Sequence, residues 1–163
     1  MIIRETERRD LQALLDIYNY EVVHGVATLD LQPKSMEEWD VWFSEHNVEN
    51  HPLLTAEVDG VAAGYASLSS YRAKEAFRST VELSIYIDPK YRGRKVASSL
   101  LEEIIAMAKQ DERTHLIVSV ITSGNDASTR LHEKYGFTFC GRMHEVGLKH
   151  GKYQDIDNYE LRV

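Results

Sequence analysis

Between Lys90 and Lys95 four of six residues are basic (Lys90, Arg92, Arg94 and Lys95), and Gly93 stands among them. The run follows a stretch that reads as a strand and precedes one that reads as an amphipathic helix, which places it at a helix N-terminus. Unpaired backbone N–H groups and the positive end of the helix dipole meet there, and each cation is disfavoured by up to about 1 kcal/mol. A cluster of cations makes sense at such a point if an anion sits among them. A pyrophosphate satisfies both sets of groups, accepting hydrogen bonds from the N–H groups while the side chains neutralise it. The competing reading is a solvated charged loop, and a lone glycine beside basic residues does not separate the two. Elsewhere the seven histidines have no ligand spacing with carboxylates or cysteine, so no metal site is expected. The single cysteine, Cys140, has no internal disulfide partner; it follows an apolar run and reads as buried filler rather than a nucleophile.

The elements that must position this cluster can be followed along the chain. Ile2 to Arg4 reads as a first strand. Leu11, Leu14, Leu15, Tyr18 and Val22 recur at helical spacing, and Ser35-Met36-Glu37-Glu38 is a capping box opening a second helix through Trp39, Trp42 and Phe43. Leu53 to Val58 and Val61 to Ser69 flank Asp59-Gly60, the chemistry of a two-residue turn, and so predict an antiparallel hairpin. Thr80 to Ile87 alternates as a strand and stops at Asp88-Pro89. Val96 to Lys109 has helical periodicity, and Leu116 to Ile121 is a continuous apolar run typical of a buried parallel strand. Asn125 to Tyr135 reads as a helix closed by Gly136, and final strands are expected around Phe137 to Met143 and Gln154 to Leu161. The order predicts an α/β domain with a mixed, mostly antiparallel sheet flanked by helices, without the regular alternation of a doubly wound fold.

Length and composition bound the rest. The 163 residues suit one domain, residues 1–163, with no linker, repeat or low-complexity tract. Hydrophobic residues make up 43% and charged residues 28%, as in ordinary globular proteins. No secretion signal and no apolar run long enough to span a bilayer is evident, so a cytoplasmic protein without a membrane partner is expected. The formal net charge of −7 argues against a nucleic-acid partner.

The segment Leu83-Ser84-Ile85-Tyr86-Ile87-Asp88-Pro89-Lys90-Tyr91-Arg92-Gly93-Arg94-Lys95-Val96-Ala97-Ser98-Ser99-Leu100-Leu101 resembles the acetyl-coenzyme A motif of the GNAT N-acetyltransferase superfamily. Against the family pattern Q/R-x-x-G-x-G/A, Arg92 matches the start and Ala97 the end, and Lys95 stands at the middle glycine. A second signature, Asn125-Asp126-Ala127-Ser128 followed by Leu131-His132-Glu133-Lys134-Tyr135-Gly136-Phe137, follows in the expected order. The resemblance implies a GNAT fold with acetyl-CoA as cosubstrate. It implies that backbone groups of Ile85, Tyr86 and Ile87 hold the pantetheine arm and that Arg92, Gly93, Arg94, Lys95, Val96, Ala97, Ser98 and Ser99 hold the pyrophosphate. Asn125 and Ser128 would contact the cosubstrate further along, although Asn125 also suits a helix N-cap.

A narrower resemblance covers nearly the whole chain. Phe77-Arg78-Ser79-Thr80-Val81-Glu82 and Val146-Gly147-Leu148-Lys149-His150-Gly151-Lys152-Tyr153-Gln154-Asp155 look like the phosphinothricin acetyltransferase group, with Ile17-Tyr18-Asn19 and Thr28 agreeing. This implies acetylation of the α-amino group of phosphinothricin, methionine sulfoximine or methionine sulfone, and a homodimer. An amine attacks a thioester only as the free base, so a proton acceptor is needed; Glu82, on the motif strand, is the candidate. Its alternative is an outward-facing strand glutamate. His150 matches a histidine of the group and would help deprotonate the amine or cap the pocket. Arg72 and Arg78 would pair an anionic amino-acid analogue through guanidinium forks, with Thr80 donating a hydroxyl beside them; both arginines fit equally as solvated loop residues. His132 occupies the place of a tyrosine that protonates the departing thiolate in many GNAT proteins, but reads first as a half-buried helix residue. Acetyl transfer to another amine (a protein N-terminus, polyamine or aminoglycoside) and a non-catalytic CoA sensor are the alternatives.

Overall fold

The computed structural model describes residues Met1–Val163. Strand β1 (Ile2–Glu5) leads through a short 3-10 turn to helix α1 (Leu11–His24), and α2 covers Met36–Ser44. Ser35 caps α2 by accepting from the Glu38 N–H, and the Glu38 carboxylate accepts from the Ser35 N–H in return, which is the predicted capping box. β2 (Leu53–Val58) and β3 (Val61–Ser70) form the predicted hairpin, with Asp59 and Gly60 both at positive φ. β4 (Thr80–Ile87), α3 (Val96–Gln110), β5 (Leu116–Thr122) and α4 (Asp126–Lys134) follow, and β6 (Thr138–Lys149) and β7 (Lys152–Arg162) complete the chain.

One seven-stranded sheet runs in the order β1-β2-β3-β4-β5-β7-β6. Only β4 and β5 pair in parallel; the other ladders are antiparallel. Because successive strand residues point to opposite faces, Leu53 and Tyr65 pack on α1 and α2, whereas their neighbours Leu54 and Ala66 join the α3 side. Helix α3 buries Val96, Leu100, Leu101, Ile104, Ile105 and Ala108, the residues its periodicity marked. Each fully buried aliphatic side chain contributes roughly 1.5–3 kcal/mol, so this face fixes α3 and the loop preceding it on the sheet.

Two expectations are corrected. The last two strands are longer than expected, and the register of β6 is irregular at Phe139/Gly141, within the expected span, and at Met143/Gly147, where the extra length begins. Cys140 is exposed rather than buried, because β6 is the outermost strand and no helix covers it.

Candidate active site

The β4–β5 ladder holds from Thr80↔Leu116 to Leu83↔Ser119. Both strands continue, to Ile87 and Thr122, so they part beyond that point and the β5-facing edge of residues 84–87 has no strand partner. An extended chain carrying amide groups can lie on such an edge as an added strand would. The gap opens into a crevice of about 260 Å³ lined by Glu82, Ser84, Ile85, Tyr86, Ser119, Asn125, Ser128 and His132, among others. A larger cleft of about 930 Å³ shares Ile85, Tyr86, Asn125 and Ser128 with the crevice and reaches the N-terminus of α3.

The motif residues Arg92, Gly93, Lys95, Val96, Ala97 and Ser98 line this cleft, as does Ile87. Lys95 is the N-cap of α3 and makes no side-chain cap, so the N–H groups of Val96, Ala97 and Ser98 are left for a ligand; the Ser99 N–H already bonds to the Lys95 carbonyl at 3.0 Å. Lys95 lies in the left-handed region, at φ 63° and ψ 10°. The backbone at the family's glycine position therefore keeps a conformation that glycine adopts without steric cost, although a lysine occupies it. Open N–H groups beside cationic side chains fit the pyrophosphate of a coenzyme A. Arg94 and Ser99 stand apart from the cleft wall: the Arg94 guanidinium lies 5.4 Å from the Tyr91 ring centre. Asn125 is the N-cap of α4, its side chain accepting from the Ser128 N–H at 3.3 Å, and it lines the cleft as well.

Glu82 is half-buried at the crevice, and burial alone pushes its carboxyl above the ordinary 4.5. Thr80, Glu82, Ser84 and Tyr86 alternate along β4 on one side, the side facing α1 and α2. Arg72, Arg78, Thr80 and His150 lie outside the crevice. Arg72 is exposed and rests on the rings of Tyr71 and Phe77, at 4.9 and 5.7 Å from their centres. Arg78 is exposed and 3.6 Å from Glu75. His150 and Gly151, both at positive φ, form the tight turn between β6 and β7, and His150 Nε2 lies 3.2 Å from the Gly25 carbonyl. His132 is fully buried rather than half-buried. Its Nδ1 faces the Ser128 carbonyl at 2.8 Å and so carries the proton, leaving Nε2 to accept from the Ser119 hydroxyl at 2.9 Å; burial pushes its pKa down and keeps the ring neutral.

Residues 11–137 match the Acetyltransferase (GNAT) family. The chain belongs to that family. It is 34% identical over 163 residues to the L-methionine sulfoximine/L-methionine sulfone acetyltransferase of Salmonella typhimurium, spanning 100% of this chain and 95% of the relative. Among solved structures, a ribosomal-protein-alanine N-acetyltransferase from Brucella melitensis superposes with a TM-score of 0.96 at 34% identity, covering 100% of both chains. A phosphinothricin acetyltransferase from Sinorhizobium meliloti, in complex with AcCoA, superposes with a TM-score of 0.94 at 30% identity, covering 99% of this chain and 88% of the other. The GNAT chain described here is thus an α/β acetyltransferase whose parted strands and α3 N-terminus form one continuous trough.

Sequence reasoning missed several residues of this acetyltransferase site. Glu21, on α1, lines the cleft and pairs with Arg92, the first residue of the motif. Its signal was present: with Leu14 and Ile17 it recurs at the spacing of a buried helix face, where a carboxylate needs a partner. Lys149 is 2% exposed, and its ammonium donates to the carbonyls of Thr28 at 2.7 Å and Glu21 at 3.3 Å. Burial lowers its pKa, against the opposing fields of Glu21 and Asp30. Lys149 thereby ties the end of α1 and the loop after it to the β6–β7 hairpin. No group of histidine, cysteine and carboxylate side chains converges as a metal site would require.

Proposed function

We propose that this single catalytic domain, residues 1–163, moves the acetyl group of acetyl-CoA to the α-amino group of a small amino acid analogue such as methionine sulfone, methionine sulfoximine or phosphinothricin. The observation that carries the reading is the continuity of the cleft. It begins at open helix N–H groups with Arg92 and Lys95, passes the unpaired edge of residues 84–87, and ends at Glu82, a carboxyl made more basic by burial. Arg92, Gly93, Lys95, Val96, Ala97 and Ser98 hold the pyrophosphate, with Arg94 and Ser99 beside them. Backbone groups of Ile85, Tyr86 and Ile87 hold the pantetheine arm, and Asn125 and Ser128 close the opposite wall.

In this reading both substrates are bound together. Glu82 takes a proton from the acceptor ammonium, directly or through a water, and the free amine attacks the thioester carbonyl. The attacking nitrogen then carries one surplus proton, which it gives up to water as the C–S bond breaks; coenzyme A leaves as the thiolate and is protonated from the same solvent. Glu82 is preferred to His150 as the base because it borders the crevice, whereas His150 forms a hairpin turn. Arg72, Arg78 and Thr80 lie at the β5-paired end of β4 and receive the acceptor's carboxylate. The reaction takes place in the cytoplasm, where acetyl-CoA is available, and involves neither nucleic acid nor membrane; no helix is long and apolar enough to cross one. The exposed apolar side chains of β6 and β7 support a homodimer.

The test is release of coenzyme A thiol from acetyl-CoA in the presence of each of the three amino acids. Turnover with at least one is expected. No turnover with any of them, while acetyl-CoA still binds, overturns the acceptor assignment. The likeness to the Brucella protein favours one second reading, a protein N-terminus as acceptor. A peptide beginning with alanine, offered in the same assay, separates the two.

A further inference from the structure

The cleft of about 930 Å³ carries cations on two walls. On one wall, at the N-terminus of α3, stand Lys95 and Arg92, the latter paired with Glu21. On the other stands Lys152, the first residue of β7. In the sheet β7 lies two strands from β4, whose end leads into α3, so the walls are on the order of 10 Å apart. Lys95 and Lys152 take part in none of the chain's ion pairs, and Glu21, the cleft's one carboxylate, is already held by Arg92. The turn before Lys152 fixes its place. Lys149 and Lys152 pair across the two residues His150 and Gly151, and directly opposed residues share a face of the hairpin. Lys149 is turned inward and donates to the carbonyls of Glu21 and Thr28, and His150 Nε2 lies 3.2 Å from the Gly25 carbonyl. Those contacts pin the hairpin to the segment that lines the cleft at Val26 and Ala27. Lys152 is thus an exposed ammonium on a pinned backbone, bordering the cleft with no anion of the protein to neutralise it.

We infer that Lys152 binds the 3′-phosphate of coenzyme A and makes the protein selective for acetyl-CoA over donors that lack this group. The inference rests on acetyl-CoA as the cosubstrate and is independent of which amine accepts the acetyl group. Coenzyme A carries two separate anionic centres, the pyrophosphate and the monoester on the ribose. The open N–H groups of Val96, Ala97 and Ser98, with Arg92 and Lys95, converge on one centre and suit the pyrophosphate. The ribose holds the monoester away from the pyrophosphate, so the same N–H groups do not serve both. A phosphate monoester has a second pKa of about 6 and carries a charge of about −1.5 to −2 at neutral pH. A protein of net charge −7 repels such a group over most of its surface, and the unpaired ammonium across the cleft is the cation left to attract it. Lysine suits the role, because it presents a compact point charge on a flexible stem and a monoester needs no fixed fork. Water and salt screen the contact, since Lys152 is exposed, so its effect is on the order of fivefold in affinity.

Coenzyme A and dephospho-coenzyme A differ only in this phosphate, so calorimetric titration of each at low salt reads the contact without any acceptor. The wild-type protein should bind coenzyme A about fivefold tighter than dephospho-coenzyme A, and the gap should narrow as salt is raised. Lys152→Gln should weaken coenzyme A by the same factor, leave dephospho-coenzyme A unchanged and so abolish the preference, and Lys152→Arg should restore it. Lys109→Gln removes the same charge from an exposed position at the far end of α3, outside the cleft, and should leave both affinities as they were. KM values for acetyl-CoA and acetyl-dephospho-CoA should follow the same pattern. Equal affinities in the wild type, or a preference that survives Lys152→Gln, overturn the assignment and leave the acetyl-CoA reading standing. Equal weakening of both ligands by Lys152→Gln also overturns it and moves the lysine to the pyrophosphate. Binding of neither ligand overturns the acetyl-CoA reading itself, and this inference with it.

Discussion

Glu82 shows how one burial decides a residue's chemistry. Removing a carboxyl from water penalises its charged form, and no neighbouring cation offsets that cost, so its pKa rises above 4.5. Only the ionised form accepts a proton. With Glu82 as the proposed base, activity is expected above the raised pKa and is lost as pH falls through it. The acidic limb of the kcat/KM profile should lie above the ordinary glutamate value, and Glu82→Gln should lower kcat by about 10²- to 10⁴-fold while acetyl-CoA binding is kept. Persistence of that limb in the variant would remove Glu82 from the role. Lys95 carries a different tension, between backbone and charge. A non-glycine residue at φ 63° costs about 1–2 kcal/mol, yet its ammonium stands where a pyrophosphate is expected. Lys95→Gly should raise the melting temperature and weaken acetyl-CoA binding, with a shallower salt dependence of what remains. A gain in both stability and affinity would mean that the lysine serves no phosphate. Glu82 and the motif were legible because alternation and spacing are local properties. For Glu21 the buried helix face was legible but the partner was not, since Arg92 lies 71 residues away.

At the scale of elements, the same locality separates what was read from what was not. The cap at Ser35, the turn at Asp59-Gly60 and the buried face of α3 each depend on residues within a few positions of one another, and each was predicted. β6 was underestimated because its irregular register at Gly141 and Gly147 breaks the alternation by which strands are recognised. The parting of β4 and β5 had no sequence signal of its own, because it is a relation between two strands. The loop after α1 shows another such relation. A Cβ added at Gly25 would run into the Glu21 carboxylate. The backbone there is extended, at φ −125° and ψ −173°, and accepts alanine without strain. Gly25→Ala should therefore act through the carboxylate: Glu21 moves, Arg92 loses the partner that holds it at the cleft, and a less ordered Arg92 meets the phosphate. Arg92 is more than half exposed, so the effect is modest. KM for acetyl-CoA should rise by up to about fivefold with kcat and melting temperature nearly unchanged. An unchanged KM would show that Glu21 does not position Arg92.

For the molecule as a whole, the sheet ends unevenly. β1 closes one edge with four residues, but β6 closes the other with twelve, and β6 also carries exposed Phe139, Met143, Val146 and Leu148, with Tyr153 exposed on β7. A long edge strand that also presents apolar side chains invites pairing, and proteins that remain monomeric usually blunt such edges with charge or proline. Here the stripe continues across the register where exposed Leu148 stands opposite exposed Tyr153, while Phe139 rests on the buried Tyr159, whose ring lies 5.7 Å away. A stable interface buries about 800 Å² on each partner, and an apolar centre of a few large side chains within a polar rim is its usual form. With a net charge of −7, two copies repel at long range, and in the proposed homodimer this patch rather than charge supplies the contact. The protein should sediment as a dimer at micromolar concentration. Leu148→Asp combined with Phe139→Asp should yield monomers with an unchanged far-ultraviolet circular dichroism spectrum, because both side chains are exposed in the single chain. A wild-type monomer, or a variant that stays dimeric, would place the interface elsewhere or remove it. The stripe also joins the two ends of the molecule's chemistry. Lys149 and His150 follow Leu148 directly and hold the end of α1 at Glu21 and the segment after it at Gly25 and Thr28, so disruption of the proposed dimer should loosen the wall of the acetyl-CoA cleft and raise KM for acetyl-CoA along with the loss of mass.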